Sequence, residues 1–413
     1  MHSWAKFIQQ HMARLVIRLK DRLSCTGCGV CLNACPKACI TMQSDEEGFL
    51  VPHIDSERCC GCGKCKSACD RIDALSLHAR PDEAIAFWAK EKRIRCRSSS
   101  GGFFSTLAES ILDAGGVVNG VLFDNKMHLR HVLIERKSDL GSICGSKYVQ
   151  SDVAKVYIDI KQALEDGRRV LFTSTPCQVA GLRAFLGKEY ERLVTCDFIC
   201  HGVPSPEYFE KYVADGKIES GRNDVVDYRF RNLEGWGWDA ALIFSDASKI
   251  SHDAYTDLFM SPFLAGLNYR ESCYSCRYAR PERCADITMG DFWSIKDYVV
   301  CSRMFERGCS LVLLNSKKGR RWFESIKPKC NFKILPLYTT YSNEQLWKPS
   351  KRPILRDDFY NDSGKLSKKD FSLKYGIYAK NRHPLHMLAD IYRYTRRKLN
   401  AIKFTIKMKC GVV

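Results

Sequence analysis

One cysteine spacing occurs twice near the start of this chain, and no other feature limits its fold so tightly. The first copy is Cys25-x2-Cys28-x2-Cys31-x3-Cys35, followed by Pro36; the second is Cys59-x2-Cys62-x2-Cys65-x3-Cys69, followed by Asp70. The turns between the cysteines are short and contain glycine, TGCG and GCGKC. Such turns let successive thiolates converge on one inorganic cube and aim backbone N–H groups at its sulfurs. Zinc is the alternative, but zinc sites pair C-x2-C units across a longer loop instead of packing four thiolates into each compact run.

The spacing is that of bacterial two-cluster ferredoxins, in which the fourth cysteine of each run ligates the other run's cluster. One [4Fe–4S] cluster is therefore expected on Cys25, Cys28, Cys31 and Cys69, and the other on Cys59, Cys62, Cys65 and Cys35. The second run carries a surplus thiol, Cys60, which falls out of register because it gives no two-residue step to Cys62. Cys39 also falls outside the pattern.

The remaining cysteines need a compartment in which thiols stay reduced, since the chain holds 22 of them in 413 residues. The stretch WAKFIQQHMARLVIRLK is interrupted by Lys6, Arg14, Arg18 and Lys20, so it does not read as a secretory segment. No window is apolar over the length of a membrane span. The expected location is cytoplasmic, with peripheral contact at the inner membrane face through the basic ends. The net charge of +18 is concentrated near the C-terminus, where Lys380, Arg382, Arg393, Arg396, Arg397, Lys398, Lys403, Lys407 and Lys409 face Asp390 alone. That balance suits an acidic electron carrier such as a ferredoxin, a partner enzyme subunit or an anionic membrane; nucleic acid is not among the expected partners. A plain solvated helix face is the alternative.

Five stretches follow from pattern: a basic amphipathic helix over 1–22, the cysteine-dense 23–78, a connector over 79–95 with the strand-like run AIAFWA, a core over 96–345, and a basic helical tail over 346–413 with an apolar stripe from Leu385 to Ile402. In the core, SSSGGFFSTLAESILDAGG predicts a helix with serines suited to its N-cap and a Gly pair suited to its end. GVVNGVLFD, RRVLFTS and LVTCDFIC predict strands, and TPCQVAGLRAFLG predicts a helix with Thr175 at the N-cap and Pro176 at its first position. This alternation favours a mixed or parallel sheet flanked by helices.

Several core residues are candidates for chemistry. Ser98, Ser99, Ser100, Gly101 and Gly102 precede a helix, where hydroxyls and bare N–H groups suit a phosphate, although a serine cap is the simpler local reading. Gly145, Ser146, Lys147 and Tyr148 form a polar turn whose lysine could hold negative charge. Cys177 sits at a helix N-terminus, which favours a thiolate acting as ligand or redox nucleophile. Cys200 ends a strand just before His201, a candidate proton donor. Cys273, Cys276 and Cys284 need a fourth thiolate, which Cys177 or Cys200 must supply. Asp286, Gly290, Asp291 and Trp293 either line a pocket or only pack. No GxGxxG stands at a strand–helix junction, so a Rossmann nicotinamide site is not supported.

The segments RSSSGGFFSTLAESIL, GSKYVQSD, VLFTSTPCQVAGLRAFLG, DFICHGVPS and SCYSCRYARPERCADITMGDFW occur in this order. Over about residues 23–340 the chain resembles the coenzyme F420 hydrogenase/dehydrogenase beta-subunit family, whose members include bacterial proteins encoded among polysaccharide-synthesis genes. The resemblance implies an α/β fold (α+β overall): an N-terminal 2[4Fe–4S] ferredoxin-type domain, a mixed-sheet flavin-binding core and the basic helical tail. It also implies FAD, held by Ser98, Ser99, Ser100, Gly101, Gly102, Gly145, Ser146, Lys147, Tyr148 and Thr175. A third [4Fe–4S] cluster is expected on Cys177, Cys200, Cys273 and Cys276, since Cys284 varies in the family pattern; zinc or a vacant site is the alternative. The expected activity is oxidoreduction, with electrons passing from a carrier through the clusters to FAD and on to a substrate. A deazaflavin-dependent enzyme and an electron-delivery subunit in polysaccharide synthesis are the alternatives.

Overall fold

The computed structural model describes residues 17, 19–231, 239–298 and 307–377. The expectations for 1–16 and for 378–413 lie outside the described residues, as do Cys301 and Cys410. Of the helix expected over 1–22, residues 17 and 19–22 are not helical. Among the described residues no helix is long and apolar enough to cross a membrane.

The cysteine-dense region is a small unit of its own. Helix α1 (Val30–Ala34) leads to the hairpin β1 (Ile40–Ser44) and β2 (Leu50–Ile54), then to helix α2 (Lys64–Asp73). Each helix is entered through a left-handed glycine, Gly29 at φ 72° and Gly63 at φ 71°. That conformation costs glycine little and other residues more, so it lets the cysteine loops turn sharply into their helices.

The core is an eight-stranded mixed sheet. Its strands in chain order are β3 (Glu83–Ala89), β4 (Val117–Phe123), β5 (Leu129–Ile134), β6 (Val170–Ser174), β7 (Leu193–Phe198), β11 (Ile287–Asp291), β12 (Ser310–Leu314) and β13 (Cys330–Pro336), with β8 (Val225–Arg229), β9 (Ala240–Phe244) and β10 (Lys249–His252) forming a separate antiparallel sheet. The spatial order is β13-β3-β12-β11-β7-β6-β4-β5. β4, β6, β7 and β11 run parallel, and the flanking strands pair antiparallel. β6 and β12 are buried at every position, as expected of interior strands covered on both faces. The stretch 79–95 is more than a connector, because it supplies β3, an interior strand paired with both β12 and β13.

Successive residues of each strand serve opposite faces. Val118, Leu171 and Val194 pack with α3 (Phe103–Asp113) on one side. Val117, Val170, Phe172 and Leu193 pack on the other side with α4 (Val156–Glu165) and α5 (Pro176–Leu186). The cysteine-rich unit lies against α5, so Cys28, Val30, Ala68 and Ile72 share that second core. Helix α6 (Pro206–Ser220) and the three-stranded sheet enclose an aromatic cluster around Phe209, Tyr228, Phe230 and Phe259. Helix α7 (Lys317–Ile326) joins α3 on the first face.

One local expectation is overturned. No serine caps α3; Gly102, at φ 90°, occupies the N-cap position and no side chain satisfies the first turn. Ser98 Oγ instead donates to the Ile94 carbonyl at 2.7 Å, and Ser99 Oγ lies 3.0 Å from Ser146 Oγ. The serines bind neighbouring segments, and the helix N–H groups stay open.

Candidate functional site

Each cysteine run threads a loop into a helix. Cys25 and Cys28 lie on the first loop, Cys31 in α1 and Cys35 just past it; Cys59 and Cys62 lie on the second loop, Cys65 and Cys69 in α2. The fold crosses the two runs. The Cys31 thiol feels the charges of Cys25 and Cys69, and also that of Cys65, while the Cys65 thiol feels those of Cys35 and Cys62. A small cavity is lined by Cys35, Cys59, Cys62 and Cys65, with Cys39 and Cys60 also in its wall. Cys39 is buried, and its Sγ is 3.4 Å from Cys35 Sγ. Spacing alone left it out, because the hairpin folds it back beside the ligands.

Burial pushes the Cys31 thiol up to about 12, and the neighbouring thiols push the same way. Buried thiolates crowded like this need cationic compensation, which iron supplies. Among the described residues no three His, Cys, Asp or Glu side chains converge as one metal ion would require. Two compact runs of four thiolates are the donor type that [4Fe–4S] clusters take.

A third set of thiols lies beyond the first. Cys177 is the second residue of α5, Cys200 follows β7, and Cys273 and Cys276 occupy the turn at Glu271–Ser275 and its end. The Cys200 thiol feels Cys273, Cys177 and Cys276, while the Cys28 thiol feels Cys177. This set therefore adjoins the Cys25–Cys31 loop. Burial pushes Cys177 and Cys273 up to about 11 and about 12, and the charge of Arg270 opposes that push at both. Cys284 is buried, its Sγ donates to the Pro176 carbonyl at 3.3 Å and its thiol also feels Cys177.

A cavity of about 260 Å³ opens at the carboxyl ends of β6, β7 and β11, where sites in parallel sheets usually form. Ser98, Ser99, Ser100, Gly102, Gly145, Ser146, Lys147, Tyr148 and Thr175 line it, together with Cys200 and His201. Gly101 is not part of the lining. A Cβ there would stand 2.1 Å from the Phe87 carbonyl oxygen and 2.4 Å from the Ser310 nitrogen, so its role is to seat the serine loop on β3 and β12. Gly290, Asp291 and Trp293 also line the cavity. Asp286 does not; its carboxylate accepts from Thr195 N and Oγ1 at 3.0 and 2.8 Å.

The cavity offers charge and hydrogen bonds. Lys147 Nζ donates to the Cys144 carbonyl at 2.9 Å, and burial lowers its ammonium to about 8. Burial lowers His201 to about 4, which favours its neutral form near pH 7. Thr173 Oγ1 and Asn343 Oδ1 are buried without a partner among the described residues, and both residues line the cavity. The uncapped first turn of α3 faces it through Gly102, Phe103 and Phe104. These groups suit a ligand with an anionic portion and a polar edge. Sequence reasoning missed Thr173 and Asn343. It also missed Arg231, which donates to Asp291 Oδ2 at 2.8 Å and to the Ser99 carbonyl at 3.3 Å. Nothing in their local sequence distinguishes these residues.

Three family models match the chain. Two describe the beta subunit of coenzyme F420 hydrogenase/dehydrogenase: the one for its N-terminal part covers residues 84–157, and the one for its C terminus covers residues 167–338. The third, a 4Fe-4S dicluster domain, covers residues 24–71. No curated protein matches. Among solved structures, a chain of the F420-reducing [NiFe] hydrogenase complex from Methanosarcina barkeri, determined with xenon derivatization, is similar with a TM-score of 0.42 and 14% identity, over 65% of this chain and 90% of that one. The overall type is an iron–sulfur oxidoreductase. The chain belongs to the coenzyme F420 hydrogenase/dehydrogenase beta-subunit family and carries an N-terminal 4Fe-4S dicluster domain.

Proposed function

We propose that this protein is an iron–sulfur flavoprotein oxidoreductase that takes single electrons from an acidic carrier and delivers them as hydride to a substrate in the main cavity. The observation that carries the reading is the unbroken run of thiol sets from the exposed Cys62 to the cavity-lining Cys200. Cys59, Cys62, Cys65 and Cys35 would hold the cluster nearest solvent, and Cys25, Cys28, Cys31 and Cys69 the next. Cys177, Cys200, Cys273 and Cys276 would hold a third, beside the cavity. Bound [4Fe–4S] clusters supply one-electron transfer, and bound FAD supplies the conversion between single electrons and hydride.

The chain's own residues do the binding and orienting. The open first turn of α3 and the Lys147 ammonium meet the pyrophosphate or other negative charge. Thr173 and Asn343 complete their hydrogen bonds with the cofactor's polar edge. Arg231 fixes the serine loop against Asp291. Lys37, Arg58, Lys64 and Lys66 are exposed around Cys60 and Cys62, which supports docking of an acidic carrier or a partner subunit. The family match supports a deazaflavin as the hydride partner. Anaerobic purification followed by iron, sulfide and flavin analysis tests the reading: about twelve irons and one FAD per chain are expected. About eight irons would remove the third cluster, and absence of flavin after reconstitution would remove the hydride chemistry.

A further inference from the structure

Among the described residues four arginines are almost entirely buried: Arg231, Arg270, Arg283 and Arg356. Three of them face carboxylates, Arg283 with Asp197 at 3.1 Å, Arg356 with Glu47 at 2.8 Å and Arg231 with Asp291 at 2.8 Å. Arg270 is 2% exposed and pairs with no carboxylate among the described residues. Its Nε donates to the Cys25 carbonyl at 2.7 Å and its Nη1 to the Leu50 carbonyl at 3.0 Å, while Nη2 is buried with no partner. The Phe49 ring lies 5.5 Å from the guanidinium. A buried cation whose charge nothing offsets is costly, so something negative belongs beside it.

The position identifies what that is. Arg270 precedes Cys273 by one turn, and its carbonyl accepts from Cys273 N at 2.9 Å. Its guanidinium meanwhile grips the loop that carries Cys25. Ser272 Oγ donates to the same Cys25 carbonyl at 3.1 Å. Gly27, at φ 65°, leaves room beside this contact: a Cβ there would stand 2.2 Å from Gln150 Nε2, 3.0 Å from the Leu50 carbonyl oxygen and 3.1 Å from Arg270 Nη1. The side chain thus spans the seam between the first thiol set and the third. A thiolate-bound cluster gains negative charge on reduction, so a fixed neighbouring cation stabilises the reduced form and raises the potential.

We propose that Arg270 is a positioning residue that holds one uncompensated positive charge between the cluster on Cys25, Cys28, Cys31 and Cys69 and the cluster on Cys177, Cys200, Cys273 and Cys276, raising the potentials of both. The inference rests on the third-cluster reading. Its effect is local: the cluster on Cys35, Cys59, Cys62 and Cys65 lies outside the grip of Arg270 and serves as an internal reference.

The test is an anaerobic redox titration of the full-length, reconstituted protein, followed by electron paramagnetic resonance. Arg270→Gln is expected to lower the midpoints of the two adjoining clusters and leave the reference cluster in place. Arg270→Lys keeps the charge without the planar fork and is expected to hold both midpoints near the wild-type values. Unchanged midpoints in an iron-replete Arg270→Gln protein, or an equal shift in all three clusters, overturn the proposal. If Arg270→Gln does not retain iron, Arg270→Lys decides alone, and lowered midpoints despite the retained charge overturn it. A wild-type protein with about eight irons sinks the third-cluster reading independently; Arg270→Gln must then still lower the Cys25-side cluster relative to the reference.

Discussion

Lys147 links cavity chemistry to pH. Burial lowers its ammonium to about 8, Asp227 and Cys144 pull the other way, and Arg229 adds to the lowering. The charged form predominates below that value and is lost above it. If this charge holds the cofactor's negative portion, FAD affinity falls as pH rises through about 8, whereas Lys147→Arg stays charged and flattens the profile. Fluorescence titration of flavin between about pH 7 and 9 reads this directly, and a flat wild-type profile would remove Lys147 from the binding charge. The surplus thiols make a second contrast. Cys60→Ser is expected to keep both dicluster signals and the full iron content, while Cys62→Ser loses one cluster; iron analysis with visible absorption separates them. The dicluster cysteines were legible because their ligand geometry is written in short loops. Arg270, Gln150 and Arg356 were not, because each bonds to partners at least a hundred residues away in the chain: Arg270 to Cys25, Gln150 to Leu50, Arg356 to Glu47.

Helix α5 joins the parts of the molecule. Its buried face includes Val179, Ala180, Leu182 and Ala184, and it lies between the sheet and the cysteine-rich unit. Gly181 sits where the Cys28 loop crosses it. A Cβ there would stand 3.2 Å from both Cys28 Cβ and its carbonyl oxygen, and 2.9 Å from Tyr157 Oη, which is itself 2.7 Å from the Cys28 oxygen. Gly181→Ala should therefore push the two units apart and cost about 1–3 kcal/mol. Gly141→Ala, whose Cβ would meet nothing within 4 Å, should change stability by less than about 1 kcal/mol. Anaerobic urea denaturation of both variants makes the comparison. The strands and α5 were readable from apolar runs and from Thr175–Pro176. The place of β3 between β12 and β13 was not, because pairing partners more than two hundred residues away leave no mark on a seven-residue run. The serine cap failed for a related reason: Ser99 and Ser100 are turned towards Ser146 and Ser310, which local sequence cannot reveal.

At the scale of the whole molecule, charge is distributed in a way that separates docking from internal transfer. Lys37, Arg58, Lys64 and Lys66 are exposed in the dicluster unit, Lys66 being paired with Asp70 at 2.6 Å. Contact with an acidic carrier there should weaken as salt rises, since the screening length drops from about 30 Å at 0.01 M to about 8 Å at 0.15 M. Stopped-flow reduction by an acidic carrier is expected to slow across that range, and a salt-independent rate would exclude electrostatic docking. The seam at Gly181 is different, being closed by backbone contacts and by the buried Tyr157 hydroxyl. A free ferredoxin must find its enzyme at every turnover, so its rate depends on how much of it the cell makes. Here that encounter has become a permanent neighbour relation within one chain. On the proposed path only the encounter with the external carrier depends on concentration, while the ratio of dicluster unit to core is set at translation.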